Sequence, residues 1–178
     1  MHATLTDVIA DTAQNSIEAG AKNIEVTLVE DGTTVSVRIR DDGKGMDEAT
    51  LGRAFNPFYT EPGKHDRRRV GLGLPILKQL CEETDGGVEL TSAPGVGTTL
   101  DYRFSARHID LPPMGDVVGM VLMLFNYPGD FELVFTHRRG DGVDYSISRS
   151  ELADAVGGLE TPEGLSLARE FLASQEGG

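Results

Sequence analysis

The chain has 178 residues, of which 39% are hydrophobic, and its formal net charge at neutral pH is −13. This length fits one domain, or one domain with a small appendage, and the hydrophobic share is enough to build a core. Binding the phosphate backbone of nucleic acids needs a basic surface, so we expect no nucleic-acid partner.

The cysteine content and the apolar runs indicate a compartment. Cys81 is the only cysteine and cannot form an internal disulfide, which fits a reducing cytoplasm. The most apolar run, Val117 to Phe125, is far shorter than the roughly 20 residues needed to span a bilayer. The N-terminus shows no basic-then-apolar targeting pattern. We therefore expect a cytoplasmic protein that has no membrane partner.

The first forty residues predict a helix followed by a β-hairpin. LTDVIADTAQNSIEAGA has apolar or small residues at helical spacing, with Thr4 or Thr6 as the N-cap and Gly20 near the end. NIEVTLVE and TVSVRIR alternate as half-buried strands do, and Asp31-Gly32 between them is a strong hairpin signal.

A similar unit follows up to about residue 106. EATLGRAF predicts a short helix, NPFYTEPGKHDRRR a loop, GLGLPILKQLCEETDG a helix entered through glycines, and GVELTSA and GTTLDYRF two strands. The order of elements predicts an α/β fold, namely a two-layer α/β sandwich on a mixed, mostly antiparallel sheet.

Residues 107–178 predict a small C-terminal α/β region of unknown role beside the domain at residues 1–106. It contains the apolar run as a buried helix and a second hairpin, FELVFTH and VDYSISR. Ser148 and Glu151 fit a capping box, and Thr161 followed by Pro162 predicts the start of a last helix.

Three polar motifs lie within the first domain. Asp11 and Asn15, four residues apart, share a helix face, which suits either solvent or Mg²⁺. DDGKGMD places Asp41 at a strand end, where a carboxylate can accept from an amine; a plain turn is an alternative, and a calcium loop lacks the required spacing. VGLGLPI opens a helix whose free N–H groups suit phosphate, without the P-loop or dinucleotide pattern.

In this order the motifs resemble the ATP-binding domain of the GHKL (Bergerat) superfamily, which includes sensor histidine kinases, type II DNA topoisomerases, heat-shock chaperones and mismatch-repair ATPases. The resemblance covers roughly residues 1–106. DTAQNSIEAGA resembles the N box, DDGKGMD the first glycine box, FNPFYT the Phe box of histidine kinases, GLGL the second glycine box and SAPGVGTTL the last motif. NSIEAGA is closer to mismatch-repair proteins, whereas the Phe box and the short lid are closer to histidine kinases.

The resemblance implies a site for ATP and Mg²⁺. Asn15 would be the metal ligand, and Asp41 would accept the adenine amino group with help from Thr98 or Thr99 through water. Asp42 would be a solvated neighbour. Residues 60–70 would form a mobile lid. The implied nucleotide-binding residues are Asn15, Asp41, Gly43, Gly45, Met46, Phe55, Gly71, Leu72, Gly73, Leu74, Thr98 and Thr99, with Gly43 and Gly45 flooring the adenine pocket and Gly71 and Gly73 hinging the lid.

The sequence also departs from the superfamily's pattern. Asp11 stands where ATPase branches usually have a Glu as general base, so it is the candidate catalytic residue, although its side chain is one methylene shorter. Arg69 stands where the second glycine box usually has a further Gly. None of the four histidines lies on a helical hairpin like the phosphoacceptor of histidine kinases, so we expect them to have surface or packing roles.

Three functions stay open. The first is a stand-alone kinase acting on an unidentified partner protein, as the anti-sigma-factor serine kinases of this superfamily do. The second is an ATP-driven conformational switch with slow hydrolysis, and the third is a non-catalytic ATP-binding adaptor. The sequence leaves a homo-oligomer open as well.

Overall fold

A computed structural model describes residues 4–58 and 73–177 of the chain. In these residues six strands form one sheet in the order β3-β4-β2-β1-β5-β6. The strands are β1 (Asn23–Glu30), β2 (Thr34–Asp41), β3 (Gly87–Ala93), β4 (Gly97–Ser105), β5 (Glu132–Arg139) and β6 (Val143–Ser148). All neighbouring pairs are antiparallel except β1 with β5. The expectation of a mixed, mostly antiparallel sheet is confirmed.

Helices cover one face of this sheet. They are α1 (Leu5–Glu18), α2 (Glu48–Gly52), α3 (Gly73–Glu83), α4 (Val117–Phe125), α5 (Arg149–Val156) and α6 (Pro162–Gln175). On β1, Ile24, Val26 and Leu28 are buried beneath the helices. The alternate residues of the strands, such as Arg38 and Arg40, are exposed on the opposite face, which we call the open face. The fold is therefore a two-layer α/β sandwich, as predicted.

Local capping signals fix where three helices begin. Thr4 caps α1 in a reciprocal capping box with Asp7. Ser148 and Glu151 form the predicted box at the start of α5, and Thr161 caps α6 with Pro162 in its first turn. Each cap satisfies backbone N–H groups that a helix leaves without an internal partner.

The C-terminal segment extends the same sheet. β5 adds to β1 in parallel, with Val26 opposite Phe135, and β6 pairs with β5. The chain between the two halves also contacts α1, because the carbonyls of Pro113 and Met114 accept the first helical N–H groups of Leu5 and Thr6, each at 2.9 Å. A domain boundary near residue 106 stays a prediction.

Within the described residues, every helix is too short or too polar to cross a bilayer. Cys81 is completely buried in α3, and burial raises the pKa of its thiol to about 12. Its side chain therefore packs as a core residue.

Candidate functional site

Asp41 is a nearly buried carboxylate at the end of β2, with 9% of its surface exposed. The Ser16 hydroxyl of α1 donates to its Oδ2 at 2.5 Å, and the backbone N–H of Gly43 donates to its Oδ1 at 2.8 Å. Two donors on different oxygens hold the plane of the carboxylate. Each oxygen keeps a lone pair that can accept a further hydrogen bond.

The two glycines after Asp41 are required by the fold itself. A Cβ on Gly43 would lie 2.9 Å from Asp41 Oδ1 and 3.0 Å from the Ala19 carbonyl oxygen. Gly45 has a φ of +67°, and a Cβ there would lie 1.9 Å from the Ala93 carbonyl oxygen. A Cβ at either position would collide with protein atoms, so the local fold itself requires both glycines, and their role as the floor of an adenine pocket stays a prediction.

The loop after Asp41 is fixed to the turn between β3 and β4. The N–H of Gly95 donates to the Lys44 carbonyl at 2.8 Å, and the N–H of Met46 donates to Ser92 Oγ at 2.8 Å. Ser92 Oγ also lies 2.8 Å from Thr98 Oγ1. This network places the half-buried Met46 beside the start of β4.

The strand register separates the two threonines of the last motif. Asp41 is paired with Thr98, whereas Arg40 is paired with Thr99. Since side chains alternate along a strand, Thr98 shares the side of Asp41, and Thr99 lies on the open face opposite Thr91. The structure thus brings Thr98 to Asp41 and leaves Thr99 on the other face.

Asp11 and Asn15 are both exposed on the same face of α1, one turn apart. Within residues 4–58 and 73–177 the Asn15 amide has no side-chain hydrogen-bond partner, so its oxygen is available to a ligand. The same residues contain no group of three or more His, Cys, Asp or Glu side chains that could hold a metal alone. Mg²⁺ usually binds through one or two side chains, substrate phosphates and water, which this face fits.

The Phe-rich segment lies beside the middle of α3. The ring centroid of the half-buried Phe55 is 5.9 Å from Lys78 Nζ of α3. Gly73 begins the described part of α3, and a Cβ there would meet no atom of residues 4–58 or 73–177 within 4 Å. Leu74 packs partly against the core. Gly71, Leu72 and the predicted lid at residues 60–70 lie outside the described residues.

Asp42 is more than a solvated neighbour. Its side chain is exposed, yet it accepts from the Asn23 side chain at 2.8 Å and from the backbone N–H groups of Asn23 and Lys22 at 2.9 and 2.8 Å. These hydrogen bonds, led by the one from the Asn23 side chain, lower the pKa of Asp42. The second acid of the pair therefore anchors the start of β1.

A cavity of about 570 Å³ opens at this end of the sheet. Its lining includes Asp41 and Thr98 but extends along the open face to Glu25, Arg40 and Thr91. It does not include any residue of α1. A nucleotide that contacts Asn15 would therefore lie on the other side of the sheet from most of this cavity.

Sequence reasoning missed Ser16 and Ser92. Ser16 appeared only as a small residue on the apolar face of α1, but it is 4% exposed and bonded to Asp41. A hydroxyl on a buried face needs a partner, and that need was the available signal. The sequence pattern predicted the strand that contains Ser92, but it gave no indication of the hydrogen-bond partners of the Ser92 side chain.

The sequence pattern of the family described as "Histidine kinase-, DNA gyrase B-, and HSP90-like ATPase" matches residues 2–109. The sensor histidine kinase YvrG of Bacillus subtilis is 29% identical over 103 residues, which cover 56% of this chain and 18% of that protein. The heme sensor protein HssS of Staphylococcus saprophyticus is 33% identical over 104 residues, which cover 58% of this chain and 22% of that protein. The chain thus spans about a fifth of the length of these relatives.

One solved structure resembles nearly the whole fold. The N-terminal domain of a DNA repair protein superposes with a TM-score of 0.57 at 16% sequence identity. The match covers 91% of this chain and 58% of that one, so it includes much of the C-terminal segment. At this identity the likeness concerns the fold alone.

Proposed function

The chain belongs to the family of histidine kinase-, DNA gyrase B- and HSP90-like ATPases, and we propose that it binds ATP with Mg²⁺ at Asp41 and the exposed face of α1 in order to act on a partner protein. The observation that carries this proposal is the carboxylate of Asp41. It is nearly buried, held by two donors, and still able to accept. A carboxylate in this setting accepts from the exocyclic amine of adenine and repels the carbonyl of guanine.

The phosphates would extend from Asp41 toward α1 and α3. Asn15 would hold Mg²⁺ by its amide oxygen, and the ion would neutralise part of the phosphate charge. Gly73, where the described part of α3 begins, would offer the positive end of a helix, and no described atom lies within 4 Å of a Cβ placed there. The protein's acidic net charge makes the metal and this helix end important, because the chain as a whole repels a polyanion.

The reaction that we favour is transfer of the γ-phosphoryl group to a partner protein. Slow hydrolysis that drives a conformational switch is the second candidate. It is supported by Asp11, whose position one turn from Asn15 on the same exposed face suits a base for water near the metal. An adaptor that binds ATP without chemistry would use the same Asp41 and Asn15.

Calorimetry with Mg-ATP tests the binding site. We expect Asp41→Asn to weaken binding about 10- to 100-fold, the range for one hydrogen bond to a charged group. Asp101→Asn is a matched control, because Asp101 lies on the open face of β4 and pairs with Arg38 at 2.6 Å. Unchanged affinity in Asp41→Asn would contradict the adenine assignment.

Incubation with γ-labelled ATP and candidate partner proteins, encoded next to this one, separates the reactions. Label on a partner supports a kinase, and release of free phosphate that Asp11→Asn abolishes supports hydrolysis. Binding of ATP without either product would leave the adaptor as the function. Absence of any ATP binding would overturn the whole proposal.

A further inference from the structure

Two hydroxyl side chains lie on the buried face of α1, one turn apart, and they have different partners. Thr12 Oγ1 donates within its own helix, to the Val8 carbonyl at 2.9 Å, and lies 3.0 Å from the Tyr102 hydroxyl. Ser16 instead donates across to Asp41 Oδ2 at 2.5 Å. A hydroxyl inside a helix commonly bonds back to the carbonyl four residues earlier, so the direction of Ser16 is distinctive.

The Ser16 contact fixes what Asp41 offers to a ligand. A hydroxyl has one hydrogen, and here it lies on Oδ2, where a length of 2.5 Å is typical of a charge-assisted O–H···O⁻ bond. With the Gly43 N–H on Oδ1, neither oxygen can turn away without losing a donor. The lone pairs left over thus have fixed directions at the small exposed part of the carboxylate.

We infer that Ser16 is a positioning residue for base selection, which holds Asp41 so that its free lone pairs meet a 6-amino group on the purine. This inference rests on the proposed function, since it concerns the same site. It assigns discrimination of the amine to the pair of Ser16 and Asp41 rather than to Asp41 alone. Ser16 acts through Asp41 and need not contact the nucleotide.

The competing explanation is that Ser16 only ties α1 to the sheet, as Thr12 does through Tyr102. Both residues are almost fully buried, at 4% and 3% exposure. Loss of either hydroxyl should therefore lower stability by a comparable amount. Only loss of the Ser16 hydroxyl should alter the choice between bases.

The test measures dissociation constants for ATP and for purine riboside triphosphate, which is ATP without the 6-amino group. Both are titrated in Mg²⁺ into the wild type, Ser16→Ala and the matched control Thr12→Val. We expect the preference for ATP to fall about 10-fold in Ser16→Ala, the low end of the range for one hydrogen bond to a charged group, and to stay unchanged in Thr12→Val. Thermal unfolding without nucleotide confirms that each variant is folded.

Ser16→Cys is a second variant if Ser16→Ala does not fold, because it keeps a side chain of similar size with only a weak S–H donor. Equal weakening of both nucleotides in the Ser16 variants, with the preference retained, would overturn this inference and leave the proposed function standing. A wild type that binds neither nucleotide would overturn both. A wild type that binds both equally would show that Asp41 does not select the amine.

Discussion

Replacing His137 with Gln should remove a pH-dependent part of the protein's stability. His137 lies on β5 and is completely buried. Its Nε2 is 2.8 Å from Glu30 Oε1 of β1, and its Nδ1 is 2.8 Å from Glu176 Oε1, just after α6. Both ring nitrogens face carboxylate oxygens, so both can donate only when the imidazole is protonated.

The other groups around His137 complete a cluster of three carboxylates and two cations. The Tyr145 hydroxyl of β6 donates to Glu176 Oε1 at 2.5 Å, and Arg139 Nη1 of β5 lies 3.5 Å from Glu176 Oε2. Arg139 in turn pairs with Asp141 at 2.9 Å. The two cations of this cluster are Arg139 and the protonated His137. His137 is the one that lies between Glu30 and Glu176.

The sign of the pH dependence follows from the pKa of His137. Burial lowers this pKa, but the hydrogen bonds and charges of Glu30 and Glu176 outweigh burial and raise it above its usual range. The cluster's stabilisation is thus complete below the usual histidine pKa of about 6.5 and is lost as the pH rises through the folded-state pKa. Within that window the free energy of unfolding should fall by up to about 1.4 kcal/mol per pH unit.

The substitution should also lower stability at constant pH. His137→Gln leaves two carboxylates without the cation between them, and breaking a buried pair costs about 3–5 kcal/mol. The Glu30 and Glu176 side chains keep 21% and 13% exposure, so we expect the low end of that range. At about 2–4 °C per kcal/mol for a chain of this size, the thermal midpoint should fall by about 6–12 °C.

Urea unfolding at a series of pH values from about 6 to 9 measures both effects. The matched control is His108→Gln, because His108 lies 3.9 and 4.0 Å from Asp85 and Asp110 and is not enclosed by them. We expect His108→Gln to keep the pH slope of the wild type. A slope that His137→Gln leaves unchanged would refute the assignment of the raised pKa to this cluster.

Further predictions concern the site and the core. Asn15→Ala should weaken ATP binding in Mg²⁺ but not in EDTA. The thermal midpoint should stay unchanged, because the exposed side chain fills no cavity. A thermal midpoint that collapses without ligand would mean that Asn15 is structural. Gly45→Ala should destabilise the chain by at least about 2 kcal/mol more than Gly32→Ala in urea unfolding, since both have positive φ but only Gly45 has a carbonyl 1.9 Å from the new Cβ. Cys81 should not react with a thiol reagent in the native state at neutral pH, and rapid labelling would show that α3 opens.

Local signals in the sequence predicted most of the elements. The caps at Thr4, Ser148 and Thr161 depend on residues within three positions of each other, so the sequence contains the whole contact. The hairpin turn at Asp31-Gly32 also depends only on residues that are neighbours in the sequence. The register of β1 with β2 follows because the short turn sets it, and a slip by one residue would move the alternating apolar residues to the other face.

Contacts between distant residues were not predictable in this way. The parallel pairing of β1 with β5 joins residues more than one hundred positions apart and leaves no spacing signal in either strand. The partners of His137 come from β1 and from the end of α6, so a sequence pattern indicated only a histidine in an alternating strand. The Ser16 contact with Asp41, 25 residues away, escaped notice for the same reason.

These long-range contacts converge on α1. Its exposed face carries Asn15, its buried face reaches Asp41 through Ser16, and its first N–H groups bond to the segment that leads into α4. Since α4 itself packs against α1, the helix that bears the proposed metal ligand is held by both the sheet and the C-terminal segment. A helix fixed by both supports can hold Asn15 and Asp41 at a constant separation, which is what binding one nucleotide at both its base and its phosphates requires.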